Sequence, residues 1–362
     1  MPAATSAPEP ALPAPLSAPA AEVRARFRAV VDRFDRSRPV LVLGHNDADG
    51  LSATALFVRA LEADGRAAVA RIVGRGESPW SAEMRAELAA ADAGGVIVTD
   101  LGVRDGVLKP GVAAVVVDHH VPTGAPDAEV ITGYGMDPIP TSSLLAWWCA
   151  GELADAEPWL WIAATGLIGD MAEDAGFPEM AAARRYGITA LRDAVSLVNA
   201  PRRSASGDAS PALRLLLECD GPRELVKGGR PETAALLAAK AEVKAELDAA
   251  RRVAPKVRNG TALIRFHSPT QIHPLVAQQW RGRLKGEVVL AANTGYRPGW
   301  VHFAVRTGRD LDLIAWLAEL KPPGADENYG SGHRQATGGA LRTPDWNAFV
   351  DRLGFPEERI AA

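Results

Sequence analysis

The stretch Ala114-Val115-Val116-Val117-Asp118-His119-His120 decides the reading of this chain. Its apolar, mostly β-branched start predicts a strand buried on both faces, the habit of a parallel sheet. Three side chains that bind metals or move protons follow at once, and such a triplet has no common structural role. Two similar runs lie upstream. Val40-Leu41-Val42-Leu43-Gly44 leads into His45-Asn46-Asp47-Ala48-Asp49-Gly50, and Val96-Ile97-Val98-Thr99 leads into Asp100. A fourth acid, Asp170, ends Gly166-Leu167-Ile168-Gly169-Asp170, which leaves an apolar helix.

Working outward, residues 69–73 make a weaker strand interrupted by Arg71, and residues 52–63 and 81–91 read as helices. This alternation predicts an α/β fold with a parallel sheet and helices on both faces. Ligands of such sheets bind beyond the carboxyl ends of the strands, where these acids lie. Carboxylates and imidazoles hold hard or borderline divalent cations, so their convergence points to catalysis by metal ions, and by a pair of them. Within the first cluster His45, Asp47 and Asp49 alternate, so an extended segment sends all three to one side. Gly50 then allows a tight turn into a helix. Taken singly, these features keep ordinary readings: a turn with capping acids at the first cluster, and a cap or an arginine pair at Asp100.

After residue 140 the chain reads as helical over 141–153, 159–168 and 179–199, with a loop over 201–211. Residues 231–253 are rich in Ala, Glu, Lys and Leu and read as one long helix joining two domains. Beyond it, strands are expected at 261–266, 287–293 and 300–306, and helices at 274–284 and 311–320. The expected organisation is a tail over 1–21, a first domain over 22–200, a linker with the connecting helix over 201–254, and a smaller α/β domain over 255–362.

The tail is almost wholly Ala, Pro and Ser and reads as disordered, with no signal-peptide pattern. No apolar run approaches the roughly 18 residues of a membrane span, so no membrane partner is expected. Cys149 and Cys219 are the only cysteines of the 362 residues; two isolated thiols fit a reducing cytoplasm. Charge is uneven. Residues 1–199 carry 16 basic and 26 acidic residues, a net of −10, and residues 200–362 carry 24 and 18, a net of +6. Between Arg251 and Arg309 stand 11 basic residues and one acid, Glu287. An acidic half that collects metals and a basic half that collects phosphates form a coherent pair, although a solvated basic surface has the same composition. Arg265, His267, Gln271, His273 and Gln278 either line a site or cap the helix near Pro274. Trp147, Trp148, Trp159 and Trp161 read as core; Trp80 and Trp300 are the better candidates for stacking on a base.

The four clusters, in this order, resemble the DHH phosphoesterase superfamily, named for the Asp-His-His found here at 118–120. The form His-x-Asp-x-Asp-Gly at 45–50 resembles its RecJ branch. Gly330-Ser331-Gly332-His333-Arg334-Gln335-Ala336-Thr337-Gly338-Gly339 is similar to the glycine-rich motif of the DHHA1 domain, with Ser331 where the family often has glycine. The resemblance implies a DHH domain followed by a DHHA1 domain. It implies His45, Asp47, Asp49, Asp100, His119 and Asp170 as ligands of two divalent ions, Mn²⁺ or Mg²⁺, with Asp100 between them. It places His120 near the scissile phosphate, oriented by Asp118, and Gly332, His333 and Arg334 on a substrate phosphate. The implied activity is metal-dependent hydrolysis of single-stranded nucleic acid or short oligonucleotides. Cyclic dinucleotides or 3′-phosphorylated nucleotides are the alternative substrates, and a non-catalytic nucleic-acid-binding module is the third reading.

Overall fold

The computed structural model describes residues 18–74, 76–325 and 329–361, with the side chains of 331–333 outside that description. The chain divides into two compact units, Met1–Ile188 and Thr189–Ala362. The first helix, α1 (Ala18–Val31), takes in the last four residues of the stretch read as a tail; residues 1–17 lie outside the described residues.

In the first unit β1 (Val40–Gly44), β2 (Ala68–Ile72), β3 (Gly95–Thr99), β4 (Ala114–Asp118) and β5 (Glu129–Thr132) form one sheet in the order β2-β1-β3-β4-β5. Every pairing is parallel. The apolar runs became strands because the sheet is covered on both sides. Leu43, Val96, Val98 and Val116 form a core with Met84 and Leu88 of α3 (Ala82–Ala90). Alternate residues such as Val42, Ile97 and Val115 are also fully buried. α2 (Ala48–Ala63) packs on β1 and α4 (Ser142–Leu153) on β4, while α5 (Leu160–Gly169) packs against α2 and α4. The helix expected over 179–199 is broken into α6 (Pro178–Ala183), a 3₁₀ turn and α7 (Ile188–Val198). Gly187, at φ +92°, ends the first piece in a conformation that glycine adopts freely.

The second unit includes α8 (Ala200–Arg203), α9 (Ser210–Glu218), α10 (Pro222–Lys227) and α11 (Pro231–Ala250). The stretch 201–254, read as a linker, therefore folds within it, and two helices occupy part of the expected loop over 201–211. Its mixed sheet runs β10-β11-β9-β8-β7-β6. The strands are β6 (Lys256–Arg258), β7 (Thr261–Phe266), β8 (Val288–Arg297), β9 (Trp300–Thr307), β10 (Ser331–His333) and β11 (Ala336–Arg342). One face packs Phe303 and Val305 against α13 (Leu313–Leu320) and α14 (Thr343–Arg352). The other packs Ile264 and Val289 against Val276 of α12 (His273–Arg283), with Leu247 of α11 at its margin. Among the described residues no helix is long and apolar enough to cross a membrane, and Cys149 and Cys219 are buried free thiols.

Candidate metal centre

The first acidic cluster is a helix start rather than an extended segment. Asp47 is the N-cap of α2 and accepts from the Gly50 N–H at 3.1 Å. Asp49 therefore lies in the first helical turn, and the alternation read from the sequence does not place it. Its carboxylate is instead held by the start of α4, accepting from the backbone N–H groups of Ser142 at 2.8 Å and Ser143 at 3.0 Å. Gly50 is required by crowding and not by a turn: a Cβ there would sit 2.5 Å from the Cβ of His45.

β1, β3 and β4 are neighbours, so His45–Asp49, Asp100 and Asp118–His120 emerge side by side at one sheet edge. Asp100 has φ +61°, a left-handed conformation that Asp tolerates better than most residues. It is buried, and Ser142 Oγ donates to its Oδ1 at 3.0 Å. That Oδ1 lies 3.5 Å from Nε2 of His119, and Oδ2 lies 3.4 Å from Nδ1 of His45. Asp100 thus turns one oxygen to each of two ligand groups. In the first, ligand atoms of His45, Asp47 and Asp100 lie within 4.8 Å of one another; in the second, those of Asp49, His119 and Asp170 do. Asp100, His119 and His120 form a third such group that joins them. Asp170, at the C-terminal end of α5, approaches His119 Nε2 at 3.3 Å. Every metal-ligand candidate of the sequence reading is brought to this one place.

Charge crowding shifts the titration of these groups. Burial, then the nearby charges of Asp100 and Asp170, push the Asp49 carboxyl up to about 8. Burial and the same kind of crowding raise Asp170. The imidazoles shift the other way from what burial alone does. Burial lowers His45, but its bonds to Asp100 and Asp47 outweigh that and carry it to about 10. His119 likewise reaches about 9, against burial, through Asp100 and the neighbouring acids. A buried set of carboxylates that recruits protons onto itself and its histidines is short of positive charge. Divalent ions with oxygen and nitrogen ligands fit that donor set.

Asp118 and His120 form a separate pair. Asp118 is fully buried, and its oxygens accept from the N–H groups of Gly102 at 2.8 Å and His120 at 2.7 Å. Nδ1 of His120 sits 2.9 Å from the same carboxylate. Burial raises the Asp118 carboxyl, but the hydrogen bonds and charge of His120 outweigh it and hold it below the ordinary value. In return Asp118 raises His120. Nε2 is then the nitrogen left to face solvent from a half-exposed ring.

Sequence reasoning misses Ser142 and Ser143. The signal is present, since Thr141-Ser142-Ser143 precedes an apolar helical run and Thr141 caps it through the Leu144 N–H. In the second unit Arg334 is exposed and pairs with Asp310 at 3.0 Å; the backbone of Gly332 and His333 lies in β10, and the side chain of His333 lies outside the described residues. The group around Gln271 is dispersed. Arg265 pairs with Glu358, His267 is exposed beside Thr294, and His273 is buried. None of their side chains caps α12. Trp80 is buried with its indole N–H on the Leu101 carbonyl, and the guanidinium groups of Arg297 and Arg342 approach the Trp300 ring at 4.6 and 5.0 Å. Trp80 therefore has no exposed ring for a base, while Trp300 stays partly exposed.

No family model matches the chain, and no curated protein matches it in sequence. Solved structures do. A structure of exonuclease RecJ bound to manganese is 20% identical with a TM-score of 0.61, over 93% of this chain and 94% of that one. RecJ of Thermus thermophilus in complex with Mn²⁺ is 21% identical with a TM-score of 0.63; the match covers 94% of this chain and 55% of that enzyme. The DHH domain of a protein assigned to a ribosomal-protein family is 16% identical with a TM-score of 0.60, over 93% and 92% of the two chains. The chain has the DHH/RecJ-like fold.

Proposed function

We propose that this protein is a metal-dependent phosphodiesterase that hydrolyses single-stranded nucleic acid or short oligonucleotides, with Mn²⁺ as its preferred ion. The observation that carries the reading is Asp100, whose two oxygens face two separate groups of ligand-type side chains. His45, Asp47 and Asp100 would hold one ion, and Asp49, Asp100, His119 and Asp170 the other. Bound divalent ions supply Lewis acidity at phosphoryl oxygens and acidify water toward neutral pH.

The chain's own groups complete the chemistry. Ser142 and Ser143 orient the carboxylates of Asp49 and Asp100 before any ligand arrives. Asp118 directs His120 through Nδ1 and favours its protonated form, so that Nε2–H of the imidazolium can donate to a phosphoryl oxygen or to the leaving oxygen. Arg334 offers a planar fork of donors to a phosphate, as the glycine-rich stretch around it suggests. The RecJ structures that share this fold carry Mn²⁺ or Mg²⁺, which favours those ions.

A length series of labelled single strands, from two nucleotides upward, tests the reading with added Mn²⁺ and after chelation. Metal-dependent release of nucleotides supports it. Activity that survives exhaustive chelation contradicts it, and turnover confined to cyclic dinucleotides or 3′-phosphorylated nucleotides transfers the reading to those substrates.

A further inference from the structure

We propose that the second unit carries a nucleotide-binding groove of its own, formed by α7, α8, α11 and α12 and sharing none of the metal-ligating side chains. The groove encloses about 370 Å³, at the lower end of the roughly 300–1,000 Å³ typical of small-ligand sites. Four cationic side chains line it, Arg203, Lys240, Lys244 and Arg251, and among the described residues no carboxylate does. Lys240, Val243, Lys244, Leu247 and Arg251 recur at helical spacing along α11 and its end, so one face presents cations beside an apolar strip.

Each part has a job in holding a nucleotide. Val243 and Leu247 belong to the margin of the core beneath, and give a base an apolar floor. Asp248 and Gln279 each hold the Arg251 guanidinium at 2.7 Å, which fixes the direction of the fork. Asp248 also stands 3.5 Å from Lys244 and offsets part of its charge. Lys240 is exposed and has no ion-pair partner among the described residues. The Arg203 carbonyl accepts from the Gln271 N–H at 2.8 Å, which ties α8 to the segment before α12. Cations in excess over acids beside an apolar strip suit a phosphate joined to a base better than either a bare anion or an apolar ligand. A free mononucleotide and one unit of a strand share that chemistry.

Calorimetric titration of the full chain in chelator tests the groove without involving the metal centre. The probes are AMP, a tetrathymidylate strand and inorganic phosphate; the variants are K240E/K244E and the milder K240Q. Both lysines are exposed, so melting temperature and Mn²⁺-dependent hydrolysis of a small chromogenic phosphodiester should match wild type. We expect AMP or the strand to bind at least about tenfold tighter than phosphate, with at least a tenfold loss in K240E/K244E and a smaller loss in K240Q. Binding of AMP assigns the site to a free nucleotide; binding of the strand alone assigns it to a unit within a chain. Failure of both to bind wild type, equal binding by the variants, or phosphate binding as tightly as AMP overturns the proposal. Since the titrations contain no metal, none of these binding outcomes depends on whether the protein is a phosphodiesterase.

Discussion

Oδ1 of Asp100 lies 3.5 Å from Nε2 of His119, while the other oxygen of the same carboxylate faces His45. The two residues come from the ends of adjacent parallel strands, so their approach follows from the β3–β4 register. The left-handed backbone at Asp100 aims the carboxylate, and Ser142 holds it. The site is thus assembled by strand ends and fastened by one helix start.

Loading the metal-free protein with Mn²⁺ near pH 7 should release protons. His45 and His119, at about 10 and about 9, and Asp49, at about 8, are protonated there and must deprotonate to become ligands. Apparent affinity should therefore rise with pH. Titration in weakly buffered indicator solution measures the release; a proton count of zero at pH 7 would be inconsistent with this electrostatic picture.

Asp118→Asn should lower the pKa of His120, because the charge that raises it is gone while the side-chain shape stays. If His120 works as the protonated acid, the alkaline limb of the pH–rate profile moves to lower pH. An unmoved limb, with activity retained, would remove His120 from the reaction.

Arg334→Ala should cut kcat/KM by roughly ten- to a hundredfold on substrates with a distal phosphate, the worth of about 1.5–3 kcal/mol for a charge-assisted bond. Its partner Asp310 is 90% exposed, so the lost ion pair should barely alter melting temperature. Metal content should stay constant. Equal damage on substrates with and without the distal phosphate would mark Arg334 as merely structural.

His273 gives the fold an acid-sensitive point. Burial, then the charges of His302 and Arg306, depress it to about 3, and its Nδ1 has no hydrogen-bond partner. The unfolded chain takes up this proton below about 6.5 and the folded chain does not until about 3. Stability therefore falls as pH drops through that window, by about 1.4 kcal/mol per unit at most. His273→Asn should flatten the denaturation-midpoint curve between pH 6.5 and 4 relative to wild type. Parallel curves would show that His273 is charged in the folded protein.

The site is legible in the sequence to the extent that it depends on strand ends. The runs before His45, Asp100 and Asp118 are continuous, apolar and rich in valine and isoleucine, as a doubly covered parallel strand requires. Asp49 is recognisable by type but misplaced, because alternation cannot tell a strand end from a capped helix start. Ser142 and Ser143 act through backbone N–H groups and a hydroxyl, which a search for charged ligands passes over. β5 escapes notice because four residues at a sheet edge, Glu129–Thr132, leave a weak pattern. Gly338 and Gly339 disguise β11, where a Cβ on Gly338 would stand 2.5 Å from the Phe303 carbonyl.

The most direct test of the account is the number of Mn²⁺ ions bound per chain, measured by titration for wild type and Asp100→Asn. Asn tolerates the left-handed backbone and can still accept from Ser142, so the variant isolates the loss of charge. The account predicts two ions per wild-type chain, and fewer in the variant together with a loss of hydrolysis beyond the roughly 10–100-fold typical of residues that only support a ligand. One ion per wild-type chain, or two ions and undiminished turnover in the variant, would contradict it.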